Sequence, residues 1–281
     1  ATSGWRSAMI AAGSDLRRKA IGPAIEDRPL FIIQTIKYLS MIIIFLAVYF
    51  TVRHALAVAE NAENELQKER DRSEMLLQNI LPDPIALRLK SDPEAIIADR
   101  HPDVAVLFAD IVDFTPKAAR LSPEELVQML NRIFSEFDAL VETHGLEKIK
   151  TVGDAYMVVA GIPDPVDDST QAIAELALAI QDKTRELSEE LGERIEVRIG
   201  IHTGEAVAGV IGTKKFAYDV WGDTVNTAAR MEAFGTPNKI QVTEAVKDAL
   251  YDRYRFAERG IVDIKGKGPM MLHFLEERIA S

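Results

Sequence analysis

The 281-residue chain predicts an α+β domain of ferredoxin-like βαββαβ order, preceded by a membrane-crossing helix and a helical connector. Three observations point there. Residues 30–52 carry a single formal charge, Lys37, in 23 positions. Residues 57–80 are rich in Ala, Glu, Gln and Leu and contain neither Gly nor Pro. From about residue 99, β-branched apolar runs alternate with long amphipathic stretches.

Bulk composition narrows the class. Apolar content of 47% beside 27% charged residues excludes a wholly disordered chain. The lack of Cys excludes disulfides and thiolate metal sites. A net charge of −11 with no dominant basic face argues against a nucleic-acid partner. It leaves a nucleotide open, because a few basic residues at one site outweigh a distant average. The first residue is Ala rather than Met, as expected of a fragment or a processed product.

Residues 1–29 carry no readable motif, and their role is left unassigned. Residues 30–56 are read as a transmembrane helix, since the 23 largely apolar positions 30–52 suffice for a bilayer core of about 30 Å. Tyr38, Tyr49 and Phe50 suit its interfaces. The charge-free part, 38–52, is only 15 residues long, so a buried or interfacial helix stays open. Arg6, Arg17, Arg18, Lys19 and Arg28 precede the span, and Arg53, Lys68, Arg70 and Arg72 follow it. That balance does not set the orientation.

Residues 57–98 are read as a connector helix with a turn. A heptad runs through Ala59, Leu66, Ser73 and Ile80, and through Ala62, Glu69 and Leu76. Its small and polar core positions allow either a weak parallel coiled coil or a solvated spacer. Leu81-Pro-Asp-Pro84 should stop it, because proline disfavours helical angles at the residue before it.

Residues 99–281 form the expected α+β domain. Strands are placed at 104–110, 146–151, 155–160 and 195–202, and helices at 123–144 and 169–191. This order predicts an antiparallel sheet with its helices on one face. Asp110 and Asp154 each end an apolar run on neighbouring strands. Two carboxylates so placed suit a pair of divalent cations bridging a polyphosphate, although either alone could cap a turn. The Ile111 carbonyl is a plausible further ligand. The amides of 111–115, entering the next helix, can face a phosphate.

Five motifs follow in order. They are Leu107-Phe-Ala-Asp-Ile-Val-Asp-Phe-Thr115, Lys148-Ile-Lys-Thr-Val-Gly-Asp-Ala-Tyr156, Val197-Arg-Ile-Gly-Ile-His-Thr-Gly204, Phe216-Ala-Tyr-Asp-Val-Trp-Gly-Asp-Thr-Val-Asn-Thr-Ala-Ala-Arg-Met-Glu232 and Ile264-Lys-Gly-Lys-Gly268. From residue 73 to 274 the chain resembles a class III nucleotidyl cyclase, similar to membrane-bound mycobacterial-type adenylyl cyclases with one catalytic domain per chain.

The resemblance implies conversion of ATP to 3′,5′-cyclic AMP and pyrophosphate. Asp110, Asp154 and the Ile111 carbonyl would bind two Mg2+ or Mn2+ ions. Asn226 would orient the ribose, and Arg230 would stabilise charge at the α-phosphate. Arg198 and Lys265 would hold the terminal phosphates, with Phe114 and Thr115 beside them. Lys150 and Asp219 would read adenine, where guanylyl cyclases typically carry Glu and a small residue such as Cys. The family usually has Gly where Asp113 stands.

Further implications concern assembly. Asp110, Asp154 and Arg198 would come from one protomer and Lys150, Asp219, Asn226, Arg230 and Lys265 from the other, so a twofold homodimer would have two sites. Cytosolic ATP would place the catalytic domain on the cytoplasmic side of the inner membrane. The alternatives are a guanylate cyclase and a non-catalytic membrane sensor retaining the fold. Such a sensor usually loses a metal Asp or the Asn/Arg pair, and all four residues are present. A diguanylate cyclase needs a Gly-Gly-Asp/Glu-Glu-Phe turn, where this chain has Val152-Gly-Asp-Ala-Tyr156.

Overall fold

A computed structural model describes residues 3–78, 80–212 and 215–279, with backbone alone for 3–29 and Gln78. The chain divides into two compact units, Ala1–Glu74 and Met75–Ser281. Residues 1–2 lie outside the description, and nothing in the described backbone gives residues 3–29 a role.

The first unit is helix α1, Ser3–Gln78, whose last residues belong to the second unit. Its stretch Leu30–Leu77 contains a window long and apolar enough to cross a membrane, and that window is wholly exposed. The hydroxyls of Thr35, Ser40 and Thr51 donate to the carbonyls of Phe31, Lys37 and Ala47. Their polar groups are therefore satisfied inside the helix, as an apolar surrounding requires. Leu66 and Leu76, on the expected heptad seam, are exposed.

The second unit opens with a helix that the sequence reading left as part of a turn. α1 stops before the prolines, and α2 then runs from Asp83 to Ser91. Pro82 caps it and a second proline lies in its first turn, where the missing N–H costs nothing. The same prolines thus end one helix and start the next. α2 buries Ile85, Ala86 and Leu89 beside Leu81, so residues 81–91 pack within the catalytic unit.

Eight strands form one sheet: β1 Ala98–Ile111, β2 Glu147–Val152, β3 Ala155–Ala160, β4 Val197–Ile211, β5 Ala217–Trp221, β6 Ile240–Thr243, β7 Tyr254–Ile264 and β8 Gly268–Arg278. Their order is β2-β3-β1-β4-β6-β8-β7, with β5 pairing β4 beside that path. The helices between them are α3 Phe114–Ala118, α4 Pro123–Thr143, α5 Ser169–Leu191, α6 Asp223–Ala233 and α7 Glu244–Leu250. A capping box between Ser122 and Glu125 starts α4, and Asp168 caps α5.

The expected βαββαβ order is present, with two corrections. The sheet is mixed, because β4 and β6 pair in parallel while the other pairs are antiparallel. Helices also cover both faces rather than one. Ala105, Leu107, Ala109 and Ile111 of β1 pack with residues of α4 and α5, whereas Val104, Val106 and Phe108 pack with residues of α2 and α6. Alternation of side chains along a strand produces this split, and burial on both faces explains the continuous apolar run of β1.

Candidate active site

The site lies on the α6 side of the sheet, at the end of β1. Asp110 follows Val104, Val106 and Phe108 on that face and is only 9% exposed. It stands opposite Arg198 of β4 and Ala155 of β3. Arg198 donates from Nη2 to Asp110 Oδ2 at 2.5 Å. Asp154 occupies the turn between β2 and β3, one residue before Ala155, and so meets Asp110. Burial raises its pKa, and a hydrogen bond with Asp110 and that residue's charge raise it further, against the pull of Arg198. The Arg198 guanidinium is in turn held more firmly protonated by Asp110.

Carboxylate oxygens are the donors that hard cations prefer. Two carboxylates in contact repel each other when both are charged, and their oxygens suit divalent ions. Among the described residues no group of three or more His, Cys, Asp or Glu could hold a metal ion. Any ion here therefore needs other oxygens, and Ile111, the buried last residue of β1, can offer its carbonyl.

Beyond Ile111, Asp113 adopts the left-handed conformation at φ 55° and precedes α3. Asn, Asp and Gly are the residues that tolerate such a backbone, which accounts for Asp here. Phe114 packs against the α4–α5 core and Thr115 is exposed.

A second group forms on β2 and β5. Lys150 Nζ donates to Asp219 Oδ2 at 2.5 Å, and Asp219 Oδ1 accepts from the Val220 amide at 2.8 Å. The carboxylate is thereby oriented from two sides. Across 69 positions of sequence, a donor and an acceptor stand side by side.

α6 supplies the third group. Asn226 is exposed and Arg230 half-buried, four positions apart and hence on one helix face. A side chain at Gly266 would come within 3.2 Å of Arg230 Nη2, so the turn that carries Lys265 rests on that guanidinium. Lys267 is committed to Asp223 in the first turn of α6, while Lys265 is exposed without an ion pair among the described residues. No hydrogen bond or ion pair among the described residues joins the Asp110 group to the Lys150 group.

Two features escaped the sequence reading. A Cβ at Gly200 would lie 2.0 Å from the Glu232 amide nitrogen, and one at Gly204 would lie 2.8 Å from Thr224 Oγ1. These glycines, four apart on β4, let α6 lie directly on the strand. Their signal was the Gly spacing inside the motif ending at Gly204. The other is Glu232, whose Oε1 is 3.4 Å from Arg198 Nε. Burial, then the charge of Asp110, pushes its pKa up to about 7. It closes the motif that contains Asn226 and Arg230, and only tertiary packing brings it to Arg198.

Residues 96–277 match the model of the adenylate and guanylate cyclase catalytic domain. An adenylate cyclase of Mycobacterium tuberculosis (strain ATCC 25618 / H37Rv) is 48% identical over 225 residues, covering 80% of this chain and 51% of that protein. The soluble guanylate cyclase subunit beta-2 of Rattus norvegicus is 39% identical over 218 residues, covering 77% of this chain and 32% of that protein. The chain thus spans about half the length of the mycobacterial relative. Among solved structures, the guanylate cyclase domain of RhGC from Catenaria anguillulae in complex with GTP superposes with a TM-score of 0.62 at 31% identity. That likeness covers 64% of this chain and 100% of that domain.

Proposed function

The chain belongs to the adenylate and guanylate cyclase catalytic-domain family, and on that footing we propose that it converts ATP to 3′,5′-cyclic AMP and pyrophosphate. The observation that carries the choice of ATP is the Lys150–Asp219 pair. Its ammonium can donate to adenine N1 while its carboxylate accepts from the 6-amino group. Guanine presents the reverse pattern at those positions.

In the proposed reaction the ribose 3′-oxygen attacks the α-phosphorus and the bond to pyrophosphate breaks. Two divalent cations at Asp110, Asp154 and the Ile111 carbonyl would supply activation of the 3′-hydroxyl and neutralise phosphate charge. Asn226 would hold the ribose so that its hydroxyl lies in line with the leaving group. Arg230, anchored against the Gly266 turn, would meet charge developing at the α-phosphate. Arg198, Lys265 and the main chain at Phe114 and Thr115 would retain the terminal phosphates.

The active form is proposed to be a homodimer with two shared sites. Each chain carries both the Asp110 and the Lys150 groups, and no hydrogen bond or ion pair among the described residues links them within one chain, which supports this. Residues 30–56 are proposed to span the inner membrane with the catalytic unit in the cytoplasm; the exposed apolar helix supports the span. The helix at the start of the 57–98 segment would join the two and pair with a second copy, while residues 81–91 pack within the catalytic unit.

The test is a cyclic-AMP assay on the chain and on its Asp154→Ala variant, run with ATP and then with GTP. Product from ATP that vanishes in the variant supports the reading. Turnover of GTP over ATP would make the chain a guanylate cyclase, and equal turnover by the variant would remove the catalytic assignment.

A further inference from the structure

Glu232 is a buried carboxylate that the proposed reaction leaves without a task. It lies in the last turn of α6 with its side chain 12% exposed. Its main chain is pinned in two ways. Gly200 lets the Glu232 amide press onto β4, and Gln241 Nε2 donates to the neighbouring Met231 carbonyl at 2.8 Å. The side chain then reaches Arg198, with Oε1 3.4 Å from Nε.

Arg198 is therefore strung between two carboxylates that hold different nitrogens. Asp110 takes Nη2 at 2.5 Å, and Glu232 faces Nε. The two contacts are unequal. Neither Arg198 Nε nor Glu232 Oε1 has a hydrogen-bond partner among the described residues, so that contact is electrostatic, between buried atoms. Asp110 is the carboxylate proposed to turn to cations, and when it does, it gives up part of its claim on Nη2. Glu232 also hydrogen-bonds Asp110, but it is not among the residues proposed to hold the cations.

Resting on the cyclase reading, we propose that Glu232 is a positioning residue for the terminal phosphates. It anchors the Nε edge of Arg198, so that the Nη end can pass from Asp110 to the pyrophosphate portion of the nucleotide without the side chain leaving the cleft. A planar guanidinium fixed at one edge presents its remaining donors in one direction, which a freely rotating one does not.

The experiment is calorimetric, on the full chain in detergent with Mn2+, and uses pyrophosphate and 3′,5′-cyclic AMP as separate probes. Cyclic AMP has no terminal phosphates and serves as the internal control. Glu232→Gln is expected to weaken pyrophosphate about 3- to 10-fold and leave cyclic AMP unchanged. In an Arg198→Gln background the same substitution should add nothing, because the group it positions is gone. If Glu232→Gln does not fold, Glu232→Asp withdraws the carboxylate by one methylene and should again weaken pyrophosphate alone. Equal weakening of both probes, or an additive effect with Arg198→Gln, overturns the proposal. Because binding is read without turnover, these outcomes are independent of the cyclic-AMP assay, whose failure would instead remove the cyclase reading.

Discussion

Residues at the site work as opposed charges held close. Asp110 and Asp154 crowd each other, and Arg198 offsets only part of that crowding. Replacing Asp154 with Ala should leave the fold intact, relieve the repulsion and lower cyclic-AMP formation by at least about three orders of magnitude. Base choice belongs to the same scale. The double substitution Lys150→Glu with Asp219→Cys reverses donor and acceptor, and should lower kcat/KM for ATP about 100-fold or more while raising that for GTP. Steady-state kinetics with both nucleotides checks this; unchanged preference would detach Lys150 and Asp219 from the base.

Elements transmit these positions through close backbone approach and through one charged junction. Gly200→Ala would drive a methyl group into the Glu232 amide, so α6 must lift from β4. Denaturant unfolding should show a loss of at least about 3 kcal/mol, with activity falling in parallel as Asn226 and Arg230 shift. At the other end of the sheet, Glu147 begins β2 beside a cavity of about 250 Å³ that Asp83 and Asp164 also line. Burial, then the charges of Asp83 and Asp164, pushes its pKa up to about 7. A raised carboxyl pKa means that the unfolded chain ionises first. Stability is therefore lost as pH rises from about 4.5 to about 7, and none is lost below that window. Glu147→Gln removes the effect, so the variant should exceed the parent by about 1–2 kcal/mol at pH 8 and match it near pH 4. Melting curves at the two pH values decide it.

The whole molecule is proposed to act as a pair of identical chains. Asp110→Ala and Asn226→Ala chains should each be inactive alone, since every site then lacks one component. Co-refolded in equal amounts, half of the dimers would be mixed and each would hold one intact site, giving about a quarter of the parent activity. Activity that stays at background on mixing, with mixed dimers present by mass, would mean that each chain builds its own site.

Local pattern alone determined much of this protein. The alternating β-branched and amphipathic stretches placed α4, α5, β2 and β3 within a residue of their observed bounds, but began β1 six residues late and ended β4 nine residues short. Asp110 stood out by its place at the end of an apolar run, whereas Arg198, Lys150 and Asp219 were singled out by the family resemblance that the motifs carry; the fold brings Arg198 to Asp110 and Lys150 to Asp219. Other features were settled only when distant segments met. A second helical face over the sheet, the parallel pairing of β4 with β6, and a helix begun by the same prolines that ended another all required packing partners remote in sequence. The contact between Arg198 and Glu232 is of that kind as well. Periodicity reports how one stretch would bury itself, whereas the identity of what covers it depends on where the rest of the chain is drawn by the shared core.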